Sequence, residues 1–114
     1  MNKFYHNPRC RKSREALALL TEKGEEIQIV EYLKEVPTER ELAVILKKLG
    51  IKAQDLLRKG EAIFKENYKG KELSEKDWIK AMCENPKLIE RPIFIVGQKA
   101  IVGRPPENVL QLIS

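Results

Sequence analysis

The segments of this chain suited to a β-sheet stand at its two ends. Lys3 to Tyr5 and Ile27 to Tyr32 lie before Pro37, and Ile93 to Val96 and Ala100 to Val102 lie after Pro86. The residues between them carry helical periodicity and read as a helical insertion of about 50 residues between the two halves. A run from about Ser13 to Lys23 places Ala16, Leu17 and Leu20 on one face and stops at Gly24. Strand, helix, strand predicts a βαβ unit with a right-handed crossover and parallel strands. Gly97-Gln98 predicts a tight turn and an antiparallel return. Pro105 and Pro106 open a last helix with Val109, Leu110 and Ile113 inward. The expectation is an α/β single domain over residues 1–114, with βαβ and ββα halves, a mixed sheet and a helical insertion at about 37–86.

Within that insertion, Thr38 with Glu41 forms a capping box, followed by Leu42, Ile45, Leu46 and Leu49 at helical spacing up to Gly50. Ala53 to Lys59 reads as a short helical piece containing Arg58, and Glu61 to Tyr68 as another. Ser74 with Asp77 opens a helix to about Glu84 whose apolar face carries Trp78, Ile79, Met82 and Cys83. Free cysteine packs as a small hydrophobe, so Cys83 is expected in the core.

Cys10 stands at the turn between the first strand and the first helix, in Tyr5-His6-Asn7-Pro8-Arg9-Cys10-Arg11-Lys12-Ser13-Arg14. A helix N-terminus offers free N–H groups and the positive end of the macrodipole. Five basic side chains surround the cysteine, with no acid before Glu15. Both features favour thiolate, the reactive form, and both attract an oxyanion. Cys10 is the candidate nucleophile; the competing reading is an inert buried thiol beside a solvated basic loop. Ser13 occupies the second cysteine position of a C-x-x-C motif, so Cys10 has no neighbouring resolving thiol. Ser13 could cap the helix or donate to the sulfur, His6 could favour thiolate or serve as a hydrogen-bonding spacer, and Asn7 could brace the loop.

These residues resemble the glutaredoxin-linked arsenate reductase (ArsC) family, whose loop reads H-N-P-x-C followed by x-x-S-R. The resemblance extends through Leu56-Leu57-Arg58-Lys59, Glu90-Arg91-Pro92-Ile93 and Gly103-Arg104-Pro105, in order and over essentially the whole chain. It implies a thioredoxin-like fold with a cis bond before Pro92. It also implies Cys10, His6 and Ser13 in catalysis, and Asn7, Arg58, Arg91 and Arg104 around the anion. Guanidinium groups suit a tetrahedral oxyanion because their donors are planar, paired and permanently charged. The reaction implied is reduction of arsenate to arsenite, with glutathione as reducing co-substrate, glutaredoxin as partner and no bound cofactor or metal. The chain departs from the family at Arg11, where the residue after the cysteine is usually small. A cation there would narrow the pocket or add an anion donor.

A net charge of +5 favours anionic ligands, yet without a long basic run or interleaved aromatics it does not suggest nucleic-acid binding. Two widely separated cysteines are no disulfide framework and suit a reducing cytoplasm. No transmembrane span or signal peptide is expected, and a monomer is. Two other functions fit the same fold. One is a glutathione-dependent thiol-disulfide oxidoreductase of monothiol glutaredoxin type, which needs Cys10 but not the three arginines. The other is a regulatory module related to polymerase-binding redox regulators, against which Ser13 argues because such a switch uses C-x-x-C.

Overall fold

The computed structural model describes residues 2–113, which divide into two compact units. The first unit combines residues 2–35 with 91–113 and carries the sheet. Strand β1 (Asn2–His6) leads to helix α1 (Arg11–Glu22) and strand β2 (Ile27–Glu31). Strands β3 (Ile93–Val96) and β4 (Lys99–Val102) precede a 3₁₀ helix, Pro106–Leu112. The sheet order is β2-β1-β3-β4, with β1 parallel to β2 and antiparallel to β3. This is the thioredoxin-like arrangement.

The register explains the core. Phe4 on β1 lies opposite Phe94 on β3, their ring centroids 6.4 Å apart. Ala16 and Leu20, one turn apart on α1, close over these rings together with Val109, and all five are completely buried. Burial of each large side chain contributes roughly 1.5–3 kcal/mol, so the covered face fixes α1, and with it the start of that helix, against the sheet. Between β3 and β4, Gly97 has φ +59° and Gln98 does not share its positive φ. A positive φ at the first central residue alone makes a type II′ turn, whose twist matches the strands it joins.

Two expectations shift. Helix α1 begins at Arg11 rather than about Ser13, because the backbone of Cys10 serves as its N-cap without a side-chain cap. The last helix is 3₁₀ over its whole length, although Val109 is buried and Leu110 and Ile113 pack on the core as expected.

The second unit, Val36–Glu90, contains the helical segment expected over about 37–86. Helix α2 (Glu39–Leu49) starts at a reciprocal box: Glu41 N–H donates to Thr38 Oγ1 (3.1 Å) and Thr38 N–H to Glu41 Oε1 (2.9 Å). Its buried Leu42, Ile45 and Leu46 accompany Trp78, Ile79, Ala81 and Met82 of helix α4 (Glu75–Glu84), which packs against it. Between them lie a 3₁₀ turn, Ala53–Leu56, and the short helix α3, Ala62–Asn67. Arg58 lies beyond that turn, where its N–H donates to Leu88 O at 2.8 Å beside a Leu57–Ile89 bridge. Cys83 is partly exposed rather than fully buried. Among the described residues no helix is long and apolar enough to cross a membrane.

Candidate functional site

The site begins where β1 ends. His6 and Asn7 are buried, and the chain then reverses, with Cys10 N–H donating to Asn7 O at 2.9 Å. Asn7 Oδ1 accepts from Arg9 N–H (3.0 Å), an Asx turn that fixes the reversal. Arg14 reaches back from α1, its Nη1 donating to Pro8 O at 2.9 Å. The loop is therefore tied from inside and outside. Asn7 works here as a brace, its amide oxygen occupied by the loop's own backbone.

This construction delivers the Cys10 sulfur to the first turn of α1. The turn contains no acidic residue, and the Ser13 N–H bonds to the sulfur. From the C-terminal half of the same unit, Arg104 Nη2 donates to Cys10 Sγ at 3.2 Å, and Arg91 adds a further hydrogen bond. Burial by itself would raise the thiol's pKa, since it disfavours the anion. The Arg91 hydrogen bond, the Ser13 N–H and the charges of Arg91 and Arg104 outweigh that effect, and the thiol sits below its ordinary value. Cys10 is buried, with 8% of its surface exposed. A thiolate with guanidinium donors beside a helix N-terminus can attract a tetrahedral oxyanion and attack its central atom.

Arg104 is itself held in place. Its Nε donates to Arg91 O at 2.8 Å, and Asn108 Nδ2 donates to Arg104 O at 3.1 Å. The peptide bonds Arg91–Pro92 and Arg104–Pro105 are both cis, the first as expected from the resemblance and the second not foreseen. Gly103 brings the two segments together: its N–H donates to Pro92 O at 2.9 Å. A Cβ at this position would fall 2.8 Å from Pro92 Cγ and 3.0 Å from Val109 Cγ1. Only glycine permits that approach without displacing its neighbours. Gly103→Ala is expected to cost about 1–3 kcal/mol by overpacking, read from denaturant unfolding. An unchanged midpoint would mean that Pro92 and Val109 yield freely.

Of the two roles open to it, His6 takes that of hydrogen-bonding spacer, with Ser13 as its partner. His6 Nδ1 shares a 2.6 Å hydrogen bond with Ser13 Oγ, which also accepts from Asn7 N–H at 3.1 Å. Burial lowers the pKa of His6; Glu31 opposes that shift and Arg14 reinforces it. A ring whose pKa is lowered from the ordinary imidazole value is mainly neutral at pH 7, which favours the spacer over the cation. The Ser13 hydroxyl faces this buried bond, whereas its backbone N–H serves the sulfur. It is neither the helix cap nor the thiolate's hydroxyl donor.

Arg58 belongs to the helical unit. There its Nη1 donates to Glu90 Oε1 at 3.0 Å, and its Nε lies 3.4 Å from Glu61 Oε2. The sequence identified the arginine but not these two carboxylates. Arg11 turns to Glu15, with Nε 3.1 Å from Oε1 and a side chain 85% exposed, so its charge is directed to solvent and to its own helix. Cys83 differs from Cys10 in its electrostatic surroundings. Burial together with Glu39, Glu41 and Glu84 raises its pKa.

Comparisons with known proteins show the family and the fold. The sequence model of the ArsC family matches residues 5–112. The chain is 49% identical over 114 residues to an uncharacterised Escherichia coli protein, YfgD, covering 98% of this chain and 96% of that one. It is 46% identical over 112 residues to an arsenate reductase of Haemophilus influenzae, covering 96% and 97% of the two chains. Among solved structures, the arsenate reductase from Vibrio cholerae superposes with a TM-score of 0.94 at 42% identity, over 98% of this chain and 97% of the other.

Proposed function

Because this chain belongs to the ArsC family, we propose that it is an arsenate reductase that works through the single thiolate of Cys10 with glutathione and glutaredoxin as reductants. The observation that carries the reading is the 3.2 Å contact between Arg104 Nη2 and the Cys10 sulfur at the acid-free start of α1. One arrangement lowers the thiol's pKa and offers donors to an oxyanion.

In this reaction Cys10 attacks arsenic. An S–As bond forms, and one arsenate oxygen, having taken up protons, leaves as water. Arg91 and Arg104 offset the charge of the arriving oxyanion and of the bound thioarsenate. A glutathione thiolate then attacks the Cys10 sulfur: an S–S bond forms, the S–As pair stays on arsenic, and As(V) becomes As(III). The two sulfurs are oxidised together as arsenic is reduced. Glutaredoxin attacks the glutathione sulfur of the mixed disulfide and releases Cys10 as thiolate. Ser13 in place of a second cysteine suits this scheme, since every other thiol comes from solution.

The test is arsenate-dependent NADPH oxidation coupled through glutathione reductase, glutathione and glutaredoxin. Wild type and Cys83→Ser are both expected to turn over, and omission of glutaredoxin is expected to stop them. Loss of activity in a folded Cys83→Ser protein would overturn the one-thiol scheme. Absence of arsenate turnover, with Cys10 still reacting with glutathione disulfide, would favour a thiol-disulfide oxidoreductase instead.

A further inference from the structure

The helical unit contains a cavity of about 420 Å³ that the redox chemistry of Cys10 does not use. Its apolar wall is formed by Leu57, Phe64, Tyr68 and Trp78. The three aromatic rings make one cluster: Phe64 stacks on Trp78 with centroids 6.2 Å apart, and Tyr68 meets Trp78 at 5.9 Å. Around this wall stand four lysines, Lys59, Lys65, Lys69 and Lys71. None of them is ion-paired with a carboxylate among the described residues. Lys71 Nζ lies 5.8 Å from the centre of the Tyr68 ring, the range of a cation–π contact.

One further polar group points to an occupant. The Tyr68 hydroxyl accepts from Asn85 Nδ2 at 3.2 Å, which leaves its own proton to be given. A surface rich in lysine is ordinarily a solvated face. Here the lysines border a concave aromatic wall, of the size and composition of a small-molecule site.

We propose that this cavity binds a small organic anion, a planar ring joined to a phosphate group. The ring would lie against Phe64, Tyr68 and Trp78, and the phosphate would take the ammonium groups of the surrounding lysines. The volume admits a mononucleotide-sized molecule but not a folded partner. The site is independent of the Cys10 reaction, and it can be tested with no arsenate or thiol present.

Trp78 is the chain's single tryptophan, so its emission and its one indole N–H cross-peak report on the cavity. The full chain would be titrated with phenyl phosphate, with inorganic phosphate and phenol as partial ligands. Phenyl phosphate is expected to move both signals saturably, and each partial ligand to bind at least tenfold more weakly. A Lys65→Gln/Lys69→Gln variant, altered only at exposed positions, is expected to lose at least tenfold in affinity with an unchanged circular dichroism spectrum. No saturation by about 10 mM phenyl phosphate would overturn the proposal. So would equal affinity for inorganic phosphate, or undiminished affinity in the double variant.

Discussion

Cys10→Ser should lose arsenate-dependent turnover at least about a thousandfold, because a serine hydroxyl is not ionised where the thiol is and no neighbouring base activates it. The substitution is nearly isosteric, and the donors now aimed at sulfur, Arg104 Nη2 and the Ser13 N–H, can be accepted by an oxygen. The loop should therefore keep its shape, and circular dichroism and thermal unfolding should match wild type. The comparison thus isolates chemistry from folding. Substantial turnover in the serine variant would move the nucleophile elsewhere. The other thiol, Cys83, is a poor substitute, because burial and the acids around it raise its pKa.

Arg104→Ala should lower kcat/KM by about 10²–10³, the size expected when one preorganised donor to a developing charge is removed. Three effects coincide at this residue. The sulfur loses its 3.2 Å donor, Arg91 O loses the Nε donor at 2.8 Å, and the oxyanion loses a permanent charge. Arg104→Lys separates them: it restores the charge but not the fork that bonds sulfur and carbonyl together. Partial recovery in the lysine variant would assign the remainder to geometry. Equal loss in both variants would mean that the two-armed contact decides, and no loss in either would remove Arg104 from the site.

How far the sequence revealed this arrangement differs from one residue to the next. The hairpin at Gly97-Gln98 and the box at Thr38 and Glu41 were legible because their signals are local: a turn residue between strands, and a three-residue spacing before an apolar run. Cys10 was legible for the same reason, since its basic neighbours and the helix behind it are adjacent in sequence. The roles of His6 and Ser13 were not, because the choice between cation and spacer depends on burial and on a contact across the loop. Arg58 shows a similar limit. Its type and position suggest an anion ligand, but Glu90, its 3.0 Å partner, lies 32 positions away in the chain. The last helix was misjudged in kind because over seven residues an apolar spacing of three or four satisfies a 3₁₀ helix and an α-helix alike. Gly103 was visible only as part of a family pattern, although its lack of a Cβ is what brings the Arg91 and Arg104 segments together.

The pH dependence should follow the thiol. Turnover is expected to rise as Cys10 ionises and to level off below the pH at which an ordinary thiol, near about 8.5, would do so. The same depressed pKa adds stability as pH rises towards the ordinary value, because the unfolded chain still holds the proton that the folded chain has released.

The most direct measurement is an ultraviolet titration of thiolate absorbance in Cys83→Ser, where Cys10 is the single thiol, alone and with Arg104→Ala added. An ionisation below the ordinary thiol value, moving upward when Arg104 is removed, is the result expected if two arginines and the start of α1 hold the sulfur as thiolate. An ordinary or raised value, unchanged by the loss of Arg104, would contradict it.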